Sequence, residues 1–330
     1  MKNVLKSELK NCPDFLGQFF TYQRVILMKS EKTAETYFYD LRLFLRFLKR
    51  LRSGEDKPLE EFDIKDITAA DLEKLTKLEA LEYLNFLAAD RGNNARTRKR
   101  KLAALNTLYK CLYKDLGLVS QNIVKDIDYP KLPITMPKYL SLEESKKLLG
   151  AVGGTEDDKN FIRDYCIVTL FVNCGMRLSE LTGLNLTSVD LDSRTMRLLG
   201  KGNKERIIHI NDACAFALSD YFAVRPECDT DALFISRNHR RITNRRVQQI
   251  IENLLKRVGL DGRGLSVHKL RHTAATLMYQ YGNADPILLK EILGHKSVAT
   301  TEIYTHINNE RITKAMDDNP LANIKKGKRA

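Results

Sequence analysis

The sequence predicts a mainly α-helical chain with a small antiparallel β-sheet, arranged as two helical domains. Three observations carry this reading. Apolar residues recur at helical spacing over long stretches, as in Leu41, Phe44, Leu45 and Leu48. One stretch, Val189 to Ile210, changes to a strand-like period around a Gly202-Asn203 turn. Between the two helical regions stands Tyr129-Pro130-Lys131-Leu132-Pro133-Ile134-Thr135-Met136-Pro137-Lys138, whose three prolines disfavour helix and suit an extended linker. The expected division is residues 1–130, a linker 131–138, and residues 139–330; the 330-residue length also fits about two domains.

In the first domain, folding is expected from about Asp14. A long amphipathic helix opens at Lys32-Thr33-Ala34, a second covers Ala70 to Ala89, and a third runs from Ala95 to Leu116. The intervening 52–68 stretch is polar and acidic, and its topology is left open. In the second domain, Ser141-Leu142-Glu143-Glu144 has capping-box form and opens a helix through Leu149. Phe161 to Cys174 is long and apolar, a central buried helix that Gly175 ends. Thr195–Leu199 and Arg206–Ile210 form the hairpin. Helices follow at Asn244–Val258, Val267–Tyr281, Pro286–Leu293 and Val298–Asn308. Gly282 and Gly294 sit where C′ residues belong, and Pro286 follows an Asp285 cap.

A formal charge of +13 favours a polyanionic partner without separating DNA from RNA or an anionic membrane. No apolar run approaches the roughly 18 residues of a spanning helix, and MKNVLKSELK lacks a secretory apolar core. The six cysteines form no C-x-x-C pair and read as reduced, buried thiols of a cytosolic protein, with no sign of zinc. The positive charge is clustered. Arg91, Arg96, Arg98, Lys99, Arg100 and Lys101 follow one another near a helix start, and Arg237, Arg240, Arg241, Arg245 and Arg246 form a second group at another. Either alone could be solvated surface. One in each domain fits a clamp on a duplex, most contacts reaching backbone phosphates.

The chemistry-bearing residues concentrate late in the chain. His268 and Arg271 stand three apart in a helix-like run, so both project from one face. Arg177 directly follows a buried-looking helix and a glycine, an odd place for a charge without a partner. Lys201 and Lys204 lie in the hairpin turn. Two arginines, a lysine, two histidines and a tyrosine are what metal-free phosphoryl transfer asks for. Arginine forks clamp non-bridging phosphate oxygens, histidine and lysine move protons, and tyrosine can be the covalent nucleophile.

R-L-S-E-L at 177–181, G-K-G-N-K at 200–204, H-K-L-R-H at 268–272, L-G-H at 293–295 and T-T-E-I-Y-T-H at 300–306 occur in the order of one family. The chain resembles the tyrosine recombinase (phage integrase) family, and within it the simple Xer-type recombinases. No single motif would suffice, since the chain has 13 tyrosines.

The resemblance implies a SAM-like helical core-binding domain followed by a catalytic domain. It implies a catalytic set of Arg177, Lys201, His268, Arg271, His295 and Tyr304. Tyr304 would be the nucleophile, Arg177 and Arg271 the phosphate clamp, and Lys201 the acid for the departing 5′ oxygen, with Lys204 its competitor in the turn. His268 would assist proton transfer and His295 would hydrogen-bond a phosphate oxygen. His272 is read as orienting the neighbouring active-site helix, and Glu180 as orienting an arginine or histidine or else as a surface neighbour. Arg96, Arg98, Lys99, Arg100, Lys101, Arg240, Arg241, Arg245 and Arg246 are the expected DNA contacts.

The implied activity is site-specific strand exchange on double-stranded DNA through a 3′-phosphotyrosyl link, without metal, cofactor or ATP. The implied assembly is a homotetramer on two duplexes, or a heterotetramer with a second recombinase. The segment after Tyr304 would dock on a neighbour, and the setting would be the nucleoid-associated cytoplasm. Chromosome dimer resolution and mobile-element movement both remain open. A topoisomerase-like nicking enzyme and a non-catalytic DNA-binding protein are the rival readings.

Overall fold

The structure is a computed structural model that describes residues 4–132, 138–153, 159–200, 205–282 and 284–294. By Cα proximity the chain divides into two compact units, Met1–Ile134 and Thr135–Ala330.

The first unit is helical: α1 (Val4–Leu9), α2 (Asp14–Val25), α3 (Glu31–Ser53), α4 (Ala69–Glu73), α5 (Lys77–Ala89) and α6 (Ala95–Lys110). Helix α3 starts where the Ser30 hydroxyl accepts the Thr33 N–H, and it ends at Gly54, which takes the left-handed conformation that glycine adopts without steric cost. Its apolar stripe of Leu41, Phe44, Leu45 and Leu48 is buried. The aromatic rings of α3 and α5 pack edge-on or stacked, with Phe44 and Tyr83 centroids 5.1 Å apart and Phe47 and Phe86 5.0 Å apart.

The single helix expected over Ala70–Ala89 is two helices. Thr76 and Glu79 form a reciprocal capping box in which Thr76 Oγ1 accepts the Glu79 N–H and Glu79 accepts the Thr76 N–H at 2.7 Å. That box restarts the helix after a turn at Lys74–Leu75. The 52–68 stretch adds one 3₁₀ turn (Leu59–Glu61). Its apolar residues Leu59, Phe62 and Ile64 are buried, and its acidic surface is tied back by Lys49 to Asp66 at 2.6 Å. Helix α6 runs into a π-turn at Cys111–Asp115, which makes up the expected length toward Leu116.

The second unit is built on α8 (Lys159–Cys174), preceded by α7 (Leu142–Gly150) with the expected Ser141–Glu144 box. Cys166, Ile167, Leu170 and Phe171 of α8 are fully buried, and the helix packs against α10 (Asp212–Val224) and α12 (Val267–Tyr281). Short α9 (Leu178–Thr182) follows α8; α11 (Asn244–Arg257) and α13 (Pro286–Leu293) complete the helices described here. The sheet is antiparallel, ordered β1 (Val189–Asp190), β2 (Thr195–Leu199), β3 (Glu205–His209), with Met196 opposite both Val189 and Ile208.

Strand β1 and helix α10 are additions to the sequence-based expectation. Gly282 is a correction: its φ is −96°, so it is no left-handed C′ residue. It stays small because a Cβ there would lie 2.8 Å from the Met278 carbonyl oxygen. Gly294 does take the left-handed conformation, and Asp285 caps α13 through the Ile287 and Leu288 N–H groups. Five of the six cysteines are buried as free thiols, Cys174 and Cys214 with sulfurs 3.7 Å apart.

Candidate active site

Gly175 sets the site's geometry. The apolar helix α8 stops at this residue, whose φ of +59° turns the chain sharply. A Cβ on it would fall 2.7 Å from Leu293 Cδ2 and 3.3 Å from Ala274 Cβ, so α12 and the end of α13 approach the turn directly. Two residues on, Arg177 becomes the N-cap of α9.

Arg271, one turn into α12, is 4% exposed. It donates from Nη1 to the Gly175 carbonyl at 2.8 Å and from Nη2 to the Leu293 carbonyl at 2.7 Å. These bonds fix the guanidinium between the end of α8 and the end of α13. Arg177 donates from Nη1 to Glu180 Oε1 at 2.6 Å and from Nη2 to the Gly294 carbonyl at 2.9 Å. A guanidinium carries five N–H donors, and this side chain remains 35% exposed, so donors are left for a ligand.

Glu180 is a buried anchor and not the surface neighbour that sequence reasoning kept open. Its side chain is 1% exposed. It accepts the Arg177 backbone N–H at 2.7 Å, the Arg177 side chain, and both Nη groups of Arg206, at 2.7 and 3.0 Å. Burial alone would raise its carboxyl. The Arg206 hydrogen bonds, the Arg177 N–H, the Arg206 charge and the Arg177 side chain together overcome that and hold it at about 2.

His268 stands exposed at the start of α12, with the His272 ring edge-on to it at 4.9 Å. Desolvation first, then the charges of Arg271, Lys269 and Arg177, depress its pKa below the ordinary histidine value, which favours the neutral imidazole. Arg177, His268 and Arg271 line one cleft of about 420 Å³, with Ser179, Asn244 and Gln248 on its walls. Lys201, with its competitor Lys204, and His295 and Tyr304 lie outside the described residues.

Arg206 escaped sequence reasoning. A signal for it exists: β3 alternates, and Arg206 shares the inward face with buried Ile208, a placement that requires a partner for the charge.

The basic clusters are less uniform than their sequence suggests. In the first unit, Asp40 of α3 is 3% exposed and pairs with both Arg100 and Lys101, the latter at 2.8 Å. Arg96 is exposed, Arg98 half-buried, and Lys99 lies over the Tyr129 ring at 5.7 Å. In the second unit, Arg241 donates to the Thr182 and Leu184 carbonyls at 3.1 and 2.8 Å and to Asn185 Oδ1 at 2.5 Å, so its guanidinium braces the chain after α9. Arg240 and Arg245 are exposed and Arg246 is half-buried, with Arg245 3.6 Å from Glu252.

Comparison with known proteins bears on the whole chain. The Phage integrase family profile matches residues 138–311. A tyrosine recombinase XerC from Caldanaerobacter subterraneus subsp. tengcongensis is 42% identical over 326 residues, covering 97% of this chain and 91% of the relative. Another from Chlorobaculum tepidum is 31% identical, covering 94% and 95%. Among solved structures, the XerH site-specific recombinase bound to palindromic difH substrate superposes with a TM-score of 0.65 at 23% identity, covering 92% of this chain and 94% of that one. That last likeness speaks for the fold. By its sequence profile and near full-length relatives, the chain belongs to the phage integrase family and is a tyrosine-type site-specific recombinase, an enzyme that cleaves and rejoins DNA.

Proposed function

We propose that the Arg177–His268–Arg271 cleft receives the scissile phosphate of a double-stranded DNA site and that Tyr304 attacks it. The phosphorus–O5′ bond breaks as the bond to the tyrosine oxygen forms, which leaves a 3′-phosphotyrosyl link and a free 5′-hydroxyl. The 5′-hydroxyl of a partner strand reverses the step, so the bond energy is conserved without ATP. The observation that carries this reading is the convergence of two braced arginines and a histidine on one cleft.

Arg177 and Arg271 neutralise the charge that gathers on the non-bridging oxygens, the largest electrostatic task in such a transition state. A phenol with an ordinary pKa of about 10 holds its proton at pH 7. His268, whose pKa is lowered by desolvation and positive neighbours, is suited to accept a hydrogen bond or a proton during attack. Lys201 protonates the departing 5′ oxygen and His295 holds a phosphate oxygen, both as the family pattern assigns them.

The first unit supplies core-site DNA binding, residues 131–138 link it to the second, and the second carries catalysis. The exposed basic residues of the two units contact backbone phosphates. Four protomers act on two duplexes, either all of this chain or shared with a second recombinase. The segment after Tyr304, roughly Glu310 to Ile324, docks on a neighbouring protomer. The setting is the cytoplasm, at the nucleoid. Among the described residues, no helix is long and apolar enough to cross a membrane.

A plasmid assay in excess EDTA tests this function. The plasmid carries two copies of the DNA sequence to which the chain becomes covalently attached in its own cell. The expected result is deletion or inversion between the copies, with no recombination on a one-copy plasmid. Relaxation of both plasmids without exchange would instead identify a topoisomerase-like activity.

A further inference from the structure

Arg206 reaches from β3 into the foundation of the site. Its Nη1 and Nη2 meet the two oxygens of Glu180 fork to fork, at 2.7 and 3.0 Å, and its Nε donates to the Ile292 carbonyl at 3.2 Å. The side chain is 16% exposed. Gly294 lies directly on it: a Cβ there would come within 3.1 Å of Arg206 Nη1. The carbonyl of that same glycine accepts the bond from Arg177 Nη2.

We propose that Arg206 is a positioning residue for DNA cleavage, acting through Arg177. The inference rests on the reading that Arg177 holds the scissile phosphate. A carboxylate and a guanidinium prefer two parallel hydrogen bonds. Glu180 makes that paired contact with Arg206, which leaves only a single side-chain bond, through Oε1, for Arg177. Remove Arg206, and the buried carboxylate has one guanidinium left. It would draw in both Nη groups of Arg177, because an underpaired buried charge is costly. Nη2 would then leave the Gly294 carbonyl and the fork would turn from the cleft.

Charge points the same way. Two guanidinium ions on one carboxylate leave the trio with a net positive charge for a phosphate. Glu180 with Arg177 alone sums to zero.

The test uses the full chain and a nicked duplex carrying the sequence trapped by the wild-type protein in its own cell. Adducts are followed on denaturing gels at saturating protein. Arg206→Gln should bind this duplex as wild type does and form adduct about 10²-fold more slowly, the scale of an ångström misplacement in a site. Arg206→Lys keeps the charge without the fork and should recover only part of the rate.

In an Arg177→Ala background, Arg206→Gln should cost no more than about 3-fold, because residues acting as one unit do not add. Replacing the scissile 5′ oxygen by sulfur should leave the Arg206→Gln deficit in place, since a better leaving group substitutes for a proton donor and not for the clamp. A wild-type adduct rate in folded Arg206→Gln would overturn the proposal. So would a full multiplicative loss on top of Arg177→Ala, or rescue by sulfur, which would put Arg206 behind the lysine turn. If Arg206→Gln does not fold, the same comparisons on Arg206→Lys decide. If the wild-type chain itself forms no adduct, the phosphotyrosyl reading fails, a result separate from these.

Discussion

Glu180 ties two arginines of the site together, accepting hydrogen bonds from both Arg177 and Arg206. Its carboxyl sits at about 2, against 4.5 for the ordinary glutamate. That gap, at about 1.4 kcal/mol per pH unit, corresponds to about 3 kcal/mol of folding stability. The folded value lies below the unfolded one. The contribution is therefore complete above pH 4.5 and is lost as the pH falls toward 2. Glu180→Gln keeps the shape and removes the charge, so it should be less stable at pH 7 by on the order of 3 kcal/mol. It should also lose less stability than wild type between pH 4.5 and 2. Urea unfolding of both proteins across that range measures this, and parallel acid limbs would contradict the assignment. Arg177 was legible as a candidate because a charge directly after a buried-looking helix needs a reason, and Arg271 because it stands three residues from His268 on one helix face. Glu180 was only half legible: its spacing from Arg177 was visible, but the second arginine comes from a strand 26 residues away.

At the scale of elements, the turn between α8 and α9 holds the site together. Gly175→Ala would place a methyl group 2.7 Å from Leu293 Cδ2, so this fully buried side chain would have to shift. A left-handed conformation costs an alanine about 1–2 kcal/mol, and overpacking adds typically 1–3 kcal/mol. Together these predict a loss of about 2–5 kcal/mol in urea unfolding. The Gly175 carbonyl that receives Arg271 should shift with the turn, slowing cleavage as well. A variant as stable and active as wild type would contradict this account of the turn.

Elements with strong local signals were readable in sequence. The Ser141–Glu144 box, the Asp285-Pro286 start and the stripe of α3 all appear where expected. The break between α4 and α5 was hidden because the apolar spacing carries across it, although Thr76 and Glu79 form the same kind of box. Helix α10 was missed because DACAFALSDYFAV has apolar residues around most of its circumference, which erases the period. Strand β1 has two residues, too short for any pattern.

For the whole molecule, the count of 55 lysines and arginines overstates the side chains free to meet a phosphate backbone. Arg100 and Lys101 share the buried Asp40, and Arg241 is held by main-chain carbonyls. Sequence counts charges but does not show which are already paired. The same limit applies to the site: the family resemblance implied six catalytic candidates, and the structure brings Arg177, His268 and Arg271 to one cleft.

The central claim is that Tyr304 is the nucleophile served by that cleft, and a trapping experiment tests it most directly. Wild type and Tyr304→Phe are each mixed with a nicked duplex bearing the chain's own trapped sequence, and the products are resolved on native and denaturing gels. The substitution keeps the aromatic ring and removes only the hydroxyl. Tyr304→Phe should therefore shift the duplex on the native gel as wild type does and give no covalent band on the denaturing gel. A covalent band that survives the substitution would show that another residue attacks the phosphate.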